Sequence, residues 1–276
     1  AYEISLRLVG SEMCIRYRNM IINASDTDRR RFDHTVELFT AGAPPAPATL
    51  AGISKLGFNV TQVYGLTETY GHVVECLWNS EWDDIPKEEQ SSIKARQGVA
   101  MPMMEATTVV DKNCKQIPMD GTTQGEIVMR GNSVMKGYFK NPEATAKAFE
   151  NGYFHSEDIA VQHPDGMMQI ADRMKDIIIS GGENISSIEV EGAIMGHPAV
   201  SLCAVVAKPH EKWGEVPCAF VELLPGQSTN EAEIIKFVRS KLAGFKTPKQ
   251  VIFQELPKTS TGKIQKFELR AIAKTG

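Results

Sequence analysis

Tyr64 to Gly71 read YGLTETYG, a tight glycine turn with two threonines and one carboxylate in eight residues. Gly65 lets the backbone come close to a ligand. Thr67 and Thr69 can donate hydrogen bonds to phosphate oxygens, and Glu68 offers a hard oxygen to Mg2+. Taken alone, the eight residues are better accounted for as a polar turn after a strand. Four segments downstream bear on the choice. Asp158, in GYFHSEDIA, can accept from both hydroxyls of a ribose, or serve as a cap or surface acid. Arg173, in IADRMKD, brings a planar guanidinium to a ribose or phosphate, or pairs with Asp172 or Asp176. In IIISGGENIS, Gly181 and Gly182 permit a turn that a branched residue could not make, and a plain hairpin needs the same freedom. LPKTSTGKIQK, residues 256–266, presents Lys263 on a loop of small residues that could swing onto a phosphate. A solvated basic turn fits Lys258, Lys263 and Lys266 as well.

These segments need elements to carry them. VELFTAGAPPAP reads as a buried strand entering a proline-rich turn, ATLAGISKLG as a helix stopped by Gly57, and FNVTQVYG as the strand that delivers the loop. The end of such a strand is a common ligand site in α/β proteins. From about Gln97 to Gln169 short alternating runs (EATTVVD, GEIVMRG, GMMQIAD) predict a small antiparallel sheet or open barrel. After DRMKD the order becomes strand, helix, strand, strand, helix, strand, helix. Ser186 with Glu189, and Asn230 with Glu233, mark two helix starts by capping-box spacing. Gly196 with Pro198, and Gly244, mark the ends. The fold class is α/β, with an α+β carboxy-terminal unit. Residues 1–18 show no sustained period and read as non-native sequence, 19–174 as the end of a larger domain, and 175–276 as a small second domain.

Composition narrows the function classes. A 276-residue chain with 42% hydrophobic residues can bury two modest cores. The net charge of −4 gives no broad basic surface for nucleic acid, and Arg29, Arg30 and Arg31 read as a solvated face. Five cysteines, at 14, 76, 114, 203 and 218, form no CxxC or zinc spacing. They read as reduced thiols, which points to a cytoplasmic location. The six histidines form no metal motif, and no apolar run is long enough to span a membrane.

Six ordered segments, GAPPAP, YGLTETYG, GEIVMRG with GYFKNPEAT, GYFHSEDIA, IADRMKDIIISGGENIS and PKTSTGKIQK, resemble the adenylate-forming superfamily. That group holds acyl-CoA synthetases, firefly-type luciferases and the adenylation domains of peptide synthetases. The resemblance covers Gly42 to Lys266, and TETYGHVVECLW with KARQGV is most similar to fatty-acyl or methylthiopropionyl-type CoA ligases. It implies an enzyme of fatty-acid and lipid metabolism that uses ATP, Mg2+ and coenzyme A to activate a small carboxylic acid through an acyl-adenylate. Its implied roles fall on single residues. Gly42, Ala43 and Pro44 flank the adenine, Tyr64 stacks near it, Gly65 brings the backbone close to the nucleotide, and Thr67 meets the α-phosphate. Glu68 serves the metal, and Asp158 and Arg173 hold the ribose. Lys175 is a hinge, and Lys263 reaches the acyl carboxylate in the first half-reaction. Gly181, Gly182 and Glu183 line the pantetheine path in the second. Trp213 is a weaker CoA candidate, at least as readable as a core aromatic; Tyr70, Gly71 and His72 are the only hints to the acid, with His72 read as a pocket or core histidine and not as a general base.

The resemblance has a gap: no TSGTTGxPKG-like phosphate loop occurs in the 276 residues. The chain therefore reads as the carboxy-terminal part of a ligase, inactive alone. Amino-acid adenylation for a carrier protein, or an inactive nucleotide-binding fragment, are the alternatives. The implied partners are ATP, CoA and the acid, with no nucleic acid and no integral membrane contact.

Overall fold

The structure, a computed structural model, describes residues 24, 32–41, 47–259 and 263–275. Residues 1–18, expected to be non-native sequence, and Gly42, Ala43 and Pro44, expected to flank an adenine, lie outside the described residues. The chain divides into two compact units, Ala1–Ile170 and Ala171–Gly276, with the boundary a few residues ahead of Lys175.

The first unit opens with β1 (Val36–Thr40), whose buried Val36, Leu38 and Thr40 alternate with more exposed neighbours, as one face of a strand requires. Helix α1 (Pro47–Ser54) crosses over to β2 (Phe58–Leu66), which pairs with β1 in parallel. Leu50 and Ile53 on α1 are fully buried against Leu38 and Val60. The helix ends where the sequence predicts. Gly57 donates to Ser54 O (3.1 Å) with φ at +90°, a conformation open to glycine and costly for side chains. β2 then turns back into β3 (Gly71–Glu75), and after helix α2 (Lys87–Lys94) comes β4 (Val99–Ala100), giving a sheet ordered β1-β2-β3-β4.

The alternating runs form a second sheet: β5 (Met104–Val110), β6 (Gln124–Gly131), helix α3 (Pro142–Ala148), β7 (Phe154–Gln162) and β8 (Met168–Arg173), in spatial order β5-β6-β7-β8. Of the two expected forms it takes the open sheet; among the described residues the strand path does not close. Val109, Ile127, Met129, Phe154 and Met168 are buried in one cluster with Tyr64, Val73 and Val74, which fastens this sheet to the β2–β3 turn.

The second unit follows the predicted order, with the first strand doubled into a hairpin. It runs β9 (Ile178–Ser180), β10 (Glu183–Ile185), α4 (Ser187–Met195), β11 (Val200–His210), β12 (Gly214–Leu223), α5 (Glu231–Arg239), β13 (Gln250–Phe253) and α6 (Lys266–Thr275). Its sheet is ordered β10-β9-β12-β11, with β13 parallel to β12. Ile178, Ile185, Val190, Ile194, Val205, Val221, Ile234 and Val238 close the core between sheet and helices.

Both predicted helix starts are capped. Ser186 Oγ accepts from Glu189 N (3.0 Å) and Asn230 Oδ1 from Glu233 N (3.0 Å). At the first start the Glu189 carboxylate is drawn away to Lys246 (2.7 Å), whereas at the second Glu233 turns back toward the cap, accepting from Thr229 Oγ1 (2.7 Å) and from the Asn230 backbone. Gly244 does not end α5. The helix stops at Arg239, where Ser240 turns its hydroxyl back onto Phe237 O (2.7 Å), and Gly244 instead opens a short 3-10 turn. Among the described residues no helix is long and apolar enough to cross a membrane.

Candidate functional site

The YGLTETYG loop is a 3-10 turn, Thr67–Thr69, closing β2 onto β3. Two of its residues build the turn itself. Thr69 is 1% exposed; its Oγ1 accepts from Leu66 N (2.8 Å) and donates to Gly71 O (2.8 Å). The hydroxyl expected to donate to a phosphate is therefore used inside the turn. Gly65 is needed for a contact within the chain: a Cβ there would lie 1.9 Å from Gly71 O and 2.6 Å from His72 Cα. What remains outward is chemistry. Thr67 and Tyr70 are exposed, Tyr70 at φ 58°, Glu68 is half-buried, and Gly71 and His72 are exposed beside them.

Glu68 is held from a second segment. Tyr138 Oη donates to Glu68 Oε1 (3.2 Å) and Met135 N to Glu68 O (2.7 Å). Thr145 Oγ1, on α3, accepts from Tyr138 N (2.9 Å), and Asn141 caps that helix through Ala144 N (3.1 Å). Burial, and then the Glu68 charge, push the Tyr138 phenol upward, so it stays a donor at neutral pH. Among the described residues no group of three or more His, Cys, Asp or Glu could hold a metal. A single carboxylate suits Mg2+ that arrives on phosphates and keeps most of its water, so Glu68 fits that ion and would not fit a closed protein cage.

Asp158 is turned inward by a bulge. The β6–β7 register slips between Glu126 and Val128, and opposite the slip Glu157 sits at φ 58° with its amide on Glu126 Oε1 (2.9 Å). Ser156 Oγ donates to Ile127 O (2.7 Å) and accepts from Asp158 N (3.1 Å). The carboxylate that results is 4% exposed, and its Oδ2 accepts from Tyr64 Oη (2.7 Å). Tyr64 is itself a core residue at 8% exposure.

In the second unit Asp172 and Asp176 each have partners of their own. Asp172 accepts from Arg173 N (2.8 Å) and from the Ser187 amide and hydroxyl, and Asp176 pairs with Arg270. Lys175 is exposed in the turn where Asp176 N and Ile177 N both donate to Arg173 O (2.9 and 3.1 Å). The SGGE segment is the β9–β10 hairpin turn, with Gly181 at φ +60°, Gly182 at φ +90° and Glu183 opposite Ser180. Trp213 lies against it: Gly181 N donates to Trp213 O (2.8 Å), and a Cβ on Gly181 would meet the indole at 2.9 Å. At 44% exposure Trp213 is no core aromatic, so the two expected CoA-facing features stand side by side. Lys263 is exposed on a second hairpin. Its amide donates to Thr259 Oγ1 (3.1 Å), its carbonyl accepts from Thr259 N (2.8 Å), and Lys258 bridges Ile264.

Two family models match in order: AMP-binding enzyme over residues 14–139, and AMP-binding enzyme C-terminal domain over residues 189–263. The chain belongs to the AMP-binding enzymes. It is 54% identical over 263 residues to the acetate–CoA ligase CCL3 of Humulus lupulus, covering 93% of this chain and 46% of that protein. It is 48% identical to the 4-hydroxybutyrate–CoA ligase 2 of Metallosphaera sedula, covering 99% of this chain and 51% of the relative. Among solved structures, ATP-bound MatB from Rhodopseudomonas palustris is 31% identical with a TM-score of 0.75, over 86% of this chain and 45% of that one. The amide bond synthetase McbA from Marinactinospora thermotolerans is 25% identical with a TM-score of 0.78, over 93% and 51%. The chain thus spans about half the length of the curated relatives it matches.

Sequence reasoning passed over two groups in this AMP-binding enzyme. Tyr138 lies inside GYFKNPEAT, a segment noted only as a marker; its contact with Glu68 spans 70 residues and has no local signal. Glu191 left a faint trace. Ser187, Glu191 and Ile194 share one face of α4 by i, i+4, i+7 spacing, and both Ser187 and Ile194 are fully buried.

Proposed function

We propose that the natural protein carrying this chain is an ATP-dependent acid–CoA ligase. The acid's carboxylate displaces pyrophosphate from ATP to give an acyl-adenylate, and the CoA thiol then takes the acyl group and releases AMP. Joining a carboxylate to a phosphate brings two anions together, so the barrier falls when a cation and hydrogen-bond donors are fixed where negative charge gathers. In this reading Lys263 supplies the cation, Thr67 donates to the α-phosphate and Glu68 holds the metal end of the nucleotide. Mg2+, when bound, would neutralise phosphate charge. Tyr64 with Asp158, and Arg173, would position adenine and ribose together with Gly42, Ala43 and Pro44. The Gly181–Gly182–Glu183 turn and Trp213 would face the pantetheine arm after rotation at Lys175.

One observation carries the proposal. Two of the three lysines in PKTSTGKIQK pin the segment to the fold, Lys258 on Glu222 and Lys266 on Glu191, and the exposed Lys263 lies in the chain between these two anchors. A merely solvated basic turn would leave all three in water. The ligase names of the curated relatives support the same reading, and their acetate and 4-hydroxybutyrate favour a short- or medium-chain acid. Four cysteines without disulfides among the described residues support a reducing compartment, for which we propose the cytoplasm; relatives from Arabidopsis thaliana and Petunia hybrida are named as peroxisomal. The test is Lys263→Ala in the natural protein, followed by ATP–pyrophosphate exchange and by acyl-CoA formation. Exchange should fall about 100-fold or more. Unchanged exchange would sink the proposal, and acyl transfer to carrier-bound pantetheine but not to CoA would redirect it.

A further inference from the structure

Lys263 sits three residues before a buried polar junction that its proposed chemistry does not use. Lys266, the first residue of α6, places Nζ 2.7 Å from Glu191 Oε1 and 2.7 Å from Ser187 Oγ. Glu191 Oε1 also accepts from Val205 N on β11 (2.8 Å). Ser187 is fully buried at the start of α4, and its hydroxyl donates to Asp172 Oδ1 (3.1 Å). One ammonium group therefore ties α6 to α4, to β11 and to the strand end that carries Arg173. The other leg of the hairpin is fixed in the same way. Glu222 accepts from Leu256 N (2.6 Å) and pairs with Lys258 Nζ, while Gln265 N donates to Pro257 O (2.8 Å) across the base.

We infer that Lys266 and Glu191 are positioning residues, whose ion pair sets the stance of the Lys263 hairpin. The inference rests on the reading of Lys263 given above. Packing alone could be met by an apolar pair, which often serves as well as a buried ion pair or better. What the ion pair adds is direction. Lys266 reaches two acceptors on separate residues of one helix, so its stem, and the hairpin leg joined to it, is held in one place. A displacement of about 1 Å at a reacting group can cost about 100-fold in rate.

The experiment compares Lys266→Met, Lys266→Arg and Glu191→Gln with Lys263→Ala, all in the natural protein. It follows the two half-reactions separately: ATP–pyrophosphate exchange, and thioester formation from preformed acyl-adenylate and CoA. Lys266→Met should lower the exchange rate about 100-fold with the KM for ATP moved less than about threefold, should spare the thioester step, and should be rescued in part by Lys266→Arg. Equal losses in both half-reactions with no rescue would mark a merely structural role and overturn the inference. So would wild-type exchange in Lys266→Met while Lys263→Ala is inactive. If Lys266→Met does not fold, Glu191→Gln gives the same reading. Amide hydrogen exchange of residues 258–265 tests the junction independently of activity: faster exchange in Lys266→Met supports it even if Lys263→Ala proves active, and unchanged exchange overturns it.

Discussion

Gly65→Ala tests whether the YGLTETYG loop is shaped by its own backbone. The added Cβ would meet Gly71 O at 1.9 Å, His72 Cα at 2.6 Å and Gly71 C at 2.7 Å, where ordinary contact begins near 3.4 Å. All three are main-chain atoms, so no side chain can swing away, and β3 must shift by roughly 1.5 Å or β2 must bend. Overpacking of movable side chains costs about 1–3 kcal/mol, and a backbone clash belongs at the upper end, about 3 kcal/mol. For a unit of this size that corresponds to a fall in Tm of about 6–12 °C. Trp78 and Trp82 lie in the first unit and Trp213 in the second, so fluorescence of single-tryptophan variants reports the right transition. Gly71→Ala is the control. Its Cβ would meet nothing within 4 Å, and the cost is that of φ +117° for an alanine, about 1–2 kcal/mol. If Gly65→Ala melts within about 2 °C of wild type, or if Gly71→Ala is the more damaging, the reasoning is wrong.

Three other outcomes are expected. Tyr64→Phe strips a donor from the buried Asp158 carboxylate, so unfolding by urea should show a loss of about 1–3 kcal/mol, and nucleotide affinity should fall with it. Burial lifts the Cys76 and Cys218 thiols to about 11 and raises Cys203 well above the ordinary thiol range, so at pH 8 iodoacetamide should modify Cys114 in the native chain while peptide mapping finds those three protected until unfolding. Hydrogen bonds from the Thr123 hydroxyl, and then from the Thr123 and Thr122 amides, hold Asp120 below the ordinary carboxylate range. A depressed folded-state pKa gives stability that is present above about 4 and lost as pH falls further. The stability difference between wild type and Asp120→Asn should therefore shrink between about pH 5 and pH 2, and a constant difference counts against the assignment.

What could be read from the sequence was local. The stop at Gly57, the caps at Ser186 and Asn230, and the turn at Gly181–Gly182 each depend on residues within a few positions of one another, where propensity and capping act. What was missed depends on register or on distance. Thr69 turns inward because β3 returns beside β2, and no property of TET announces that. Asp158 meets Tyr64 across 94 residues and only because a bulge at Glu157 rotates it, and Lys266 finds Ser187 across 79. Gly244 misled for the opposite reason. It is a good stop signal, but the hydroxyl of Ser240 had already ended the helix. Lys258, Lys263 and Lys266 were indistinguishable as text and became three different residues once Glu222 and Glu191 were placed.

The division of labour within YGLTETYG also bears on how such a loop can change. Gly65, Thr69 and Gly71 are committed to contacts with one another, whereas Thr67, Glu68 and Tyr70 project from the turn they make. Scaffold and reagent thus occupy separate letters of one eight-residue word. Substitutions at the second set can alter what the loop handles without undoing its shape, so a combinatorial library varied at 67, 68 and 70 should keep a folded majority, while one varied at 65, 69 and 71 should be lost mainly to misfolding.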